Sequence, residues 1–192
     1  YWKPGETEAI KKLEIFFKGS LSNYKEVRDL PGSTGTSRLS PYLRFGEITT
    51  NQIINGKHLY YAFVSGGKHV LKNQNELNQI NVFPVSDKDT GTNLASTIRS
   101  VIDNIKPNKS YKATINDIAD AALIGARGNS GVIFAQFFYG LNQETNHSHE
   151  ITPKEFVKSV KGAIPYIYES VANPVEGTIL TVIKDWSNFL DS

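Results

Sequence analysis

Cysteine and methionine are both absent from this chain of 192 residues. Without a thiol there is no disulfide, no thiolate nucleophile, no iron–sulfur ligation and no Cys-type zinc site. Only four histidines are present (His58, His69, His147, His149), a poor set for a zinc enzyme. No apolar run approaches the roughly 18 residues that cross a bilayer, so no membrane span is expected. No basic stretch followed by an apolar one opens the chain, so secretion has no support and a cytoplasmic setting is expected. Convincing polar–apolar alternation is also missing, so strands are not expected. The net charge is only +2, too small to imply a nucleic-acid partner. With Tyr1 first and no Met, the chain reads as a processed product or a fragment.

What is present is enough apolar material for a core: 39% hydrophobic residues, with 10 Phe and 9 Tyr. The excess positive charge lies in the first quarter, where residues 1–50 carry 8 basic and 6 acidic side chains against 13 of each afterwards. That first part ends in a Gly/Ser/Thr/Pro stretch, Pro31 to Ser37. Helix is expected over Glu6–Phe17, in a short segment Tyr24–Asp29 and from Pro41 to Phe45. A longer helix is expected over Ile54–Leu71, weakened at Gly66-Gly67. Leu94, Ile98, Val101, Ile102 and Ile105 recur at helical spacing up to Pro107. Thr114 with Asp117 resembles a capping box ahead of Ile115, Ile118, Ala119 and Ala122. Val132 to Leu141 reads as a very apolar helix, its Phe134, Phe137 and Phe138 as core. Thr152-Pro153-Lys154-Glu155 is a strong helix start, and Gly177 opens a last segment to Leu190. The fold class expected is all-α: an antiparallel up-and-down bundle from about residue 54, preceded by a short helical segment.

Two polar loops carry the chemistry. Asn81 to Asn93 holds Asp87 and Asp89, and Gly125 to Gly131 is rich in glycine. Each precedes an apolar helix, and a glycine-led helix start offers free N–H groups and the positive end of the dipole, which suit phosphate. Asp87 and Asp89 add hard oxygen ligands for Mg²⁺. One loop would supply the metal ligands and the other a phosphate cradle. Taken alone, the same residues also fit ordinary turn and cap chemistry, and neither loop matches GxxxxGK[ST] or GxGxxG. His147 and His149 read as surface side chains, Lys106, Lys109 and Lys112 as a solvated basic stretch, and Trp2 and Trp186 have no stacking partner visible in the sequence.

Asn81-Val-Phe-Pro-Val-Ser-Asp-Lys-Asp-Thr-Gly-Thr-Asn93 closely resembles NVFPVPDGDTGTN, a signature of the dihydroxyacetone-kinase L-type nucleotide-binding domain in the form found in bacterial fatty-acid kinases. Gly125 to Ile133 matches the GARGNSGVI of that family, and Pro174 to Val182 its PVEGTILTV. The resemblance covers about residues 54–192. It implies a helical barrel with ATP and Mg²⁺ at one end. Asp87 and Asp89 would be metal ligands, with Asn81 at another position of the metal site. Thr90, Thr92 and Asn93 would position phosphate or the following helix. Gly128, Asn129, Ser130 and Gly131 would wrap phosphate, and Gly177 and Thr178 would contribute to the nucleotide rim. Arg127 would neutralise developing charge, or else be a solvated loop arginine. In fatty-acid kinases a separate lipid-binding protein presents the acyl carboxylate, which becomes an acyl phosphate; a homo-oligomer is a further partner to consider. Two departures stand out: Lys88 replaces the glycine of DGD, and Ser86 replaces a proline. The family domain also continues for about two more helices, so an unclosed barrel, weak or inactive alone, is expected.

Residues 1–50 resemble something else. Trp2 to Glu6 and Gly35 to Ile48, with Tyr24 and Arg28-Asp29 between them, resemble the start of the FAD-binding domain of DNA photolyases and cryptochromes. Thr36, Ser37, Leu39 and Ser40 would map to its FAD-phosphate segment and Tyr24 to a flavin-contacting tyrosine. The rest of that pocket is missing, so neither FAD binding nor DNA repair is expected. Three readings follow: a kinase nucleotide-binding domain behind a photolyase-like fragment, a non-catalytic nucleotide- or partner-binding module, and a flavin-binding remnant.

Overall fold

The structure, a computed structural model, describes residues 3–16, 24, 36–44, 54–146 and 148–190. Among the described residues, two helices precede the main body: α1 (Glu6–Ile15) and α2 (Ser40–Arg44). Ala9, Leu39 and Tyr42 bury one another in a small cluster, and the Tyr42 hydroxyl donates to the Lys3 carbonyl at 2.8 Å. Leu39, expected on an FAD-phosphate segment, is therefore a core residue. Most of the expected helix Tyr24–Asp29 lies outside the described residues, as do Trp2, Arg28 and Asp29.

The main body is all-α apart from one short pairing. Strand β1 (Ile54–Asn55) pairs antiparallel with β2 (Glu150–Ile151), Ile54 opposite Ile151. Between and after them come α3 (Gly56–Lys72), α4 (Gln74–Gln79), α5 (Thr90–Asn104), α6 (Tyr111–Gly125), α7 (Gly128–Glu144), α8 (Pro153–Glu169) and α9 (Ile179–Phe189). Short connections make sequential helices antiparallel neighbours. The apolar stripes read from the sequence form one core that joins Val101, Ile115, Ile118, Leu141, Val160 and Ile167, all nearly or fully buried, and Ile98 is buried as well. Each such side chain contributes about 1.5–3 kcal/mol by leaving water. Phe134, Phe137 and Phe138 interlock edge to face, with Phe63 joining through Phe138, so they are core as expected. Trp186 does find aromatic partners, in Phe137 and Phe156.

Local chemistry sets the helix starts. At α8, the Thr152 hydroxyl accepts from Glu155 N–H at 3.2 Å and the Glu155 carboxylate accepts from Thr152 N–H at 2.7 Å, the expected capping box. At α3, Asn55 Oδ1 accepts from Lys57 and His58 N–H while His58 Nδ1 accepts from Asn55 N–H. The box expected at Thr114 is corrected. Ser110 caps α6 and accepts from Ala113 N–H; Thr114 lies one turn inside, buried, its hydroxyl donating to the Ser110 carbonyl. Lys112 is not a solvated loop residue: its ammonium donates to the Asn142 and Thr145 carbonyls at the end of α7, where a cation suits the helix dipole.

The helices run between two ends of different character. One end holds the β1–β2 pair, the start of α6 and the end of α7, tied by Gly56 N–H to Lys109 O (3.0 Å) and Tyr111 N–H to His149 O (2.8 Å). The other end holds the start of α5, the α6–α7 turn and the start of α9. No described helix is long and apolar enough to cross a membrane.

Candidate functional site

Residues 80–89 connect α4 to α5, and their path is set by asparagines. Asn81 Oδ1 accepts from Asp89 N–H (3.1 Å) and Thr90 N–H (3.2 Å), and its Nδ2 donates to the Val85 carbonyl (3.1 Å). Both lone pairs of that oxygen are thereby used. In this geometry Asn81 braces the loop, and a metal-ligand role would require it to let go of two backbone amides. Asn78 does the same one turn on, accepting from Thr92 N–H and donating to the Thr92 hydroxyl, which Gln74 also reaches. Thr92 is thus tied to α4 through both its N–H and its hydroxyl.

Asp89 occupies the N-cap position of α5 without using its side chain there. Neither the Asp87 nor the Asp89 carboxylate has a hydrogen-bonding or ionic partner among the described residues. Between them Lys88 adopts φ 56, the left-handed region. The backbone there takes the conformation that favours glycine, at the position where the resembling motif has glycine. Lys88→Gly is expected to stabilise the fold by about 0.5–1 kcal/mol, since relief of ~1–2 kcal/mol of left-handed strain exceeds glycine's extra chain entropy. A higher denaturation midpoint with an unchanged slope would bear this out; a lower one would mean that the lysine side chain makes a contact worth more than the strain.

The α6–α7 connection consists of Ala126 and Arg127 alone. Arg127 folds back, its guanidinium donating to the Ala126 (2.7 Å) and Ile124 (3.3 Å) carbonyls at the end of α6. Gly128 opens α7 at φ 55, and a β-carbon there would overlap Asn93 Nδ2. The Thr90 and Ser130 hydroxyls lie 3.2 Å apart. A β-carbon on Gly131 would lie 2.8 Å from Thr97 Oγ1, so α7 crosses α5 at close range. Asn129 is exposed on the first turn of α7.

The third motif lies against the first. Gly177, at φ 83, is so placed that a β-carbon on it would touch the Phe83 ring at 3.6 Å. Thr178 caps α9, accepting from Leu180 N–H and donating to the Val175 carbonyl. Glu176 joins Tyr168, Thr181 and Lys184 in a hydrogen-bonded group beside this turn. Sequence reasoning missed Glu176, although it stands inside the Pro174–Val182 motif, with Thr181 and Lys184 five and eight residues on. It also missed Gln74 and Asn78, which no local pattern marks.

Three segments far apart in sequence therefore meet at one end of the bundle. Thr90 meets Ser130, Asn93 lies against Gly128, and Phe83, in the loop that leads to Thr90, lies beside Gly177. Among the described residues no group of three or more His, Asp or Glu side chains is placed to hold a metal; Asp87 and Asp89 are two carboxylates on one loop. A shallow cleft of about 470 Å³ lies elsewhere, at the β1–β2 end, lined by Ser110, Lys112, Asn116, Asp117, Ser148 and His149. None of the expected site residues lines it.

Comparison with known proteins places these loops in a family. The DAK2 domain matches residues 84–192, more than half of the chain. The chain is 38% identical over 136 residues to uncharacterized proteins of Staphylococcus epidermidis and Staphylococcus haemolyticus. It is 37% identical over 134 residues to one of Staphylococcus aureus. Each match covers 69% of this chain but only 24% of the relative, so the chain spans about a quarter of the length of those proteins. With its three motifs at one end of a helical bundle, the chain belongs to the DAK2 domain family, the dihydroxyacetone-kinase L-type and fatty-acid-kinase-like domains.

Proposed function

We propose that the convergent loops form a Mg-ATP site and that the domain serves phosphoryl transfer to a fatty-acid carboxylate or to a dihydroxyacetone-like hydroxyl. The observation that carries this is the meeting of residues 81–93, 125–131 and 174–178 at one end of the bundle, through Thr90–Ser130, Asn93–Gly128 and Phe83–Gly177. The donor set suits the ligand: two unpaired carboxylates for a hard cation, and a glycine-led helix start for phosphate.

Asp87 and Asp89 would hold the metal. The N–H groups of Gly128, Asn129 and Ser130 would face the phosphates, with the Thr90 and Ser130 hydroxyls as further donors; Gly131 N–H is already held by the Arg127 carbonyl at 3.1 Å, so Gly131 would contribute through close packing alone. A bound Mg²⁺ neutralises phosphate charge and orients the transferred group. The chain's own contribution is positioning and charge compensation rather than covalent chemistry. Thr92 would act through α5 and Asn81 through the loop. Arg127 would have to leave the α6 carbonyls to reach developing charge. A carboxylate acceptor would arrive on a separate lipid-binding protein.

Lys88 supports a second reading, a nucleotide- or partner-binding module without turnover, because a cation between the two carboxylates competes with the metal. Thermal unfolding with and without Mg-ATP tests the site. The wild-type protein is expected to gain about 2.7 kcal/mol at a hundredfold excess over Kd, and Asp87→Ala/Asp89→Ala to gain nothing. No shift in the wild type would sink the nucleotide reading. A shift that survives in the double variant would place the metal elsewhere. With the site in hand, turnover in the presence of an acyl-carrying partner separates the two readings.

A further inference from the structure

Glu176 collects three donors on one carboxylate. The Tyr168 hydroxyl and the Lys184 ammonium each donate to Oε1 at 2.7 Å, and the Thr181 hydroxyl donates to Oε2 at 2.6 Å. The Thr181 oxygen in turn accepts from Gly177 N–H at 2.7 Å. Lys184 also lies 5.9 Å from the centre of the Tyr168 ring, within cation–π range. These residues come from the end of α8, the turn after it and the first two turns of α9. The bond to Lys184, followed by those to Thr181 and Tyr168, holds the Glu176 carboxyl at about 2, well below the usual carboxylate range.

An exposed network of this kind adds little to global stability. Its effect is geometric. Four bonds fix the turn around Gly177, whose bare face meets the Phe83 ring. Phe83 stands in the loop that carries Asp87 and Asp89, two residues after the brace Asn81. Asn81 braces the loop from within, and the Gly177 turn lies against one side of the Phe83 ring, which is otherwise 56% exposed.

We propose that Glu176 is a positioning residue: by locking the Gly177 turn it gives Phe83 a fixed seat, and through Phe83 it sets the loop bearing Asp87 and Asp89. The metal role of that loop rests on the nucleotide reading above; the mechanical coupling does not.

Hydrogen–deuterium exchange on the whole chain, without ligand, tests the coupling. Glu176→Gln keeps the side-chain volume and removes the charge. Amides of residues 81–89 should exchange about 3–10-fold faster in Glu176→Gln, alongside those of 176–181. The ligand-free melting temperature should move by no more than about 2 °C. Lys184→Gln, which removes one of the three donors, should give a smaller change in the same loop. With Phe83→Ala as background, Glu176→Gln should no longer affect residues 81–89, the non-additivity expected of a shared contact. In thermal-shift titrations the Mg²⁺ concentration needed at fixed ATP should rise roughly tenfold, as when an outer support of a metal site is lost.

Faster exchange confined to 174–181 would overturn the proposal. So would faster exchange throughout the bundle with a large fall in melting temperature, which would make Glu176 a general stabiliser. If the wild type shows no Mg-ATP shift, the nucleotide reading fails alone, and exchange in residues 81–89 still decides whether the coupling exists.

Discussion

Gly128→Ala is expected to destabilise the fold by about 1–3 kcal/mol, to lower the melting temperature by roughly 3–10 °C and to abolish the Mg-ATP shift. Two costs combine. The left-handed conformation at φ 55 is strained for any residue with a β-carbon, whatever the space around it. The added carbon also overlaps the Asn93 amide, which sits at the end of a short side chain and can swing aside. Strain therefore supplies most of the lost stability, and displacement of Asn93 most of the lost binding. Asn93 lies in the first turn of α5 beside Thr90, whose hydroxyl meets Ser130. Calorimetry separates the two: Asn93→Ala/Gly128→Ala should recover the steric part and none of the strain. An unchanged melting temperature and an unchanged shift in Gly128→Ala would show that this turn is neither strained nor part of the site.

Asn81→Ala has the second largest expected effect, a loss of about 1–2 kcal/mol without any ligand, the scale of a lost helix cap. The substitution frees the amides of Asp89 and Thr90 at the start of α5 and the carbonyl of Val85 within the loop. Asn81→Asp keeps the two acceptor contacts and loses only the donor, so it should cost less than the alanine. Denaturant unfolding without metal is the deciding measurement. Were Asn81 mainly a metal ligand, alanine would leave ligand-free stability untouched and weaken only Mg²⁺ dependence. A brace shows its loss in the empty protein.

Much of the bundle is legible in the sequence because burial imposes a period. Leu94, Ile98 and Val101 mark α5, and Val160, Ala163 and Ile167 mark α8, since an amphipathic helix must place its apolar residues every three or four positions. The start of α8 is legible too, because Thr152 and Glu155 satisfy each other locally. The start of α6 is not. Ser110 and Thr114 are both hydroxyl residues one turn apart, and the one that caps is decided by packing: Thr114 is buried under Gly56, where a β-carbon would overlap its hydroxyl. Lys112 reads as solvated because its acceptors, the carbonyls of Asn142 and Thr145, lie about thirty residues on and become neighbours only when α6 and α7 pair. Strands β1 and β2 have two residues each, too few to carry a period.

The site divides along the same line. Gly128 and Gly177 are conspicuous as residues, and both occupy backbone conformations that favour glycine. The roles of Asn81, Thr92 and Asn78 depend on how a loop doubles back onto α4, which no spacing rule encodes. Lys88 is the instructive case. Its replacement of a motif glycine is visible in the sequence, and the fold nevertheless keeps the left-handed conformation there, so the loop path is set by the contacts around it more than by the residue in it.

The connection between α6 and α7 contains only Ala126 and Arg127, and it has no slack. The two helices it joins cannot swing apart without breaking the start of α7, so this wall of the site is a fixed jaw. Residues 80–89 and 170–178 are the longer tethers, and Phe83 against Gly177 is where they touch. For the proposed nucleotide site, opening is therefore expected along that seam.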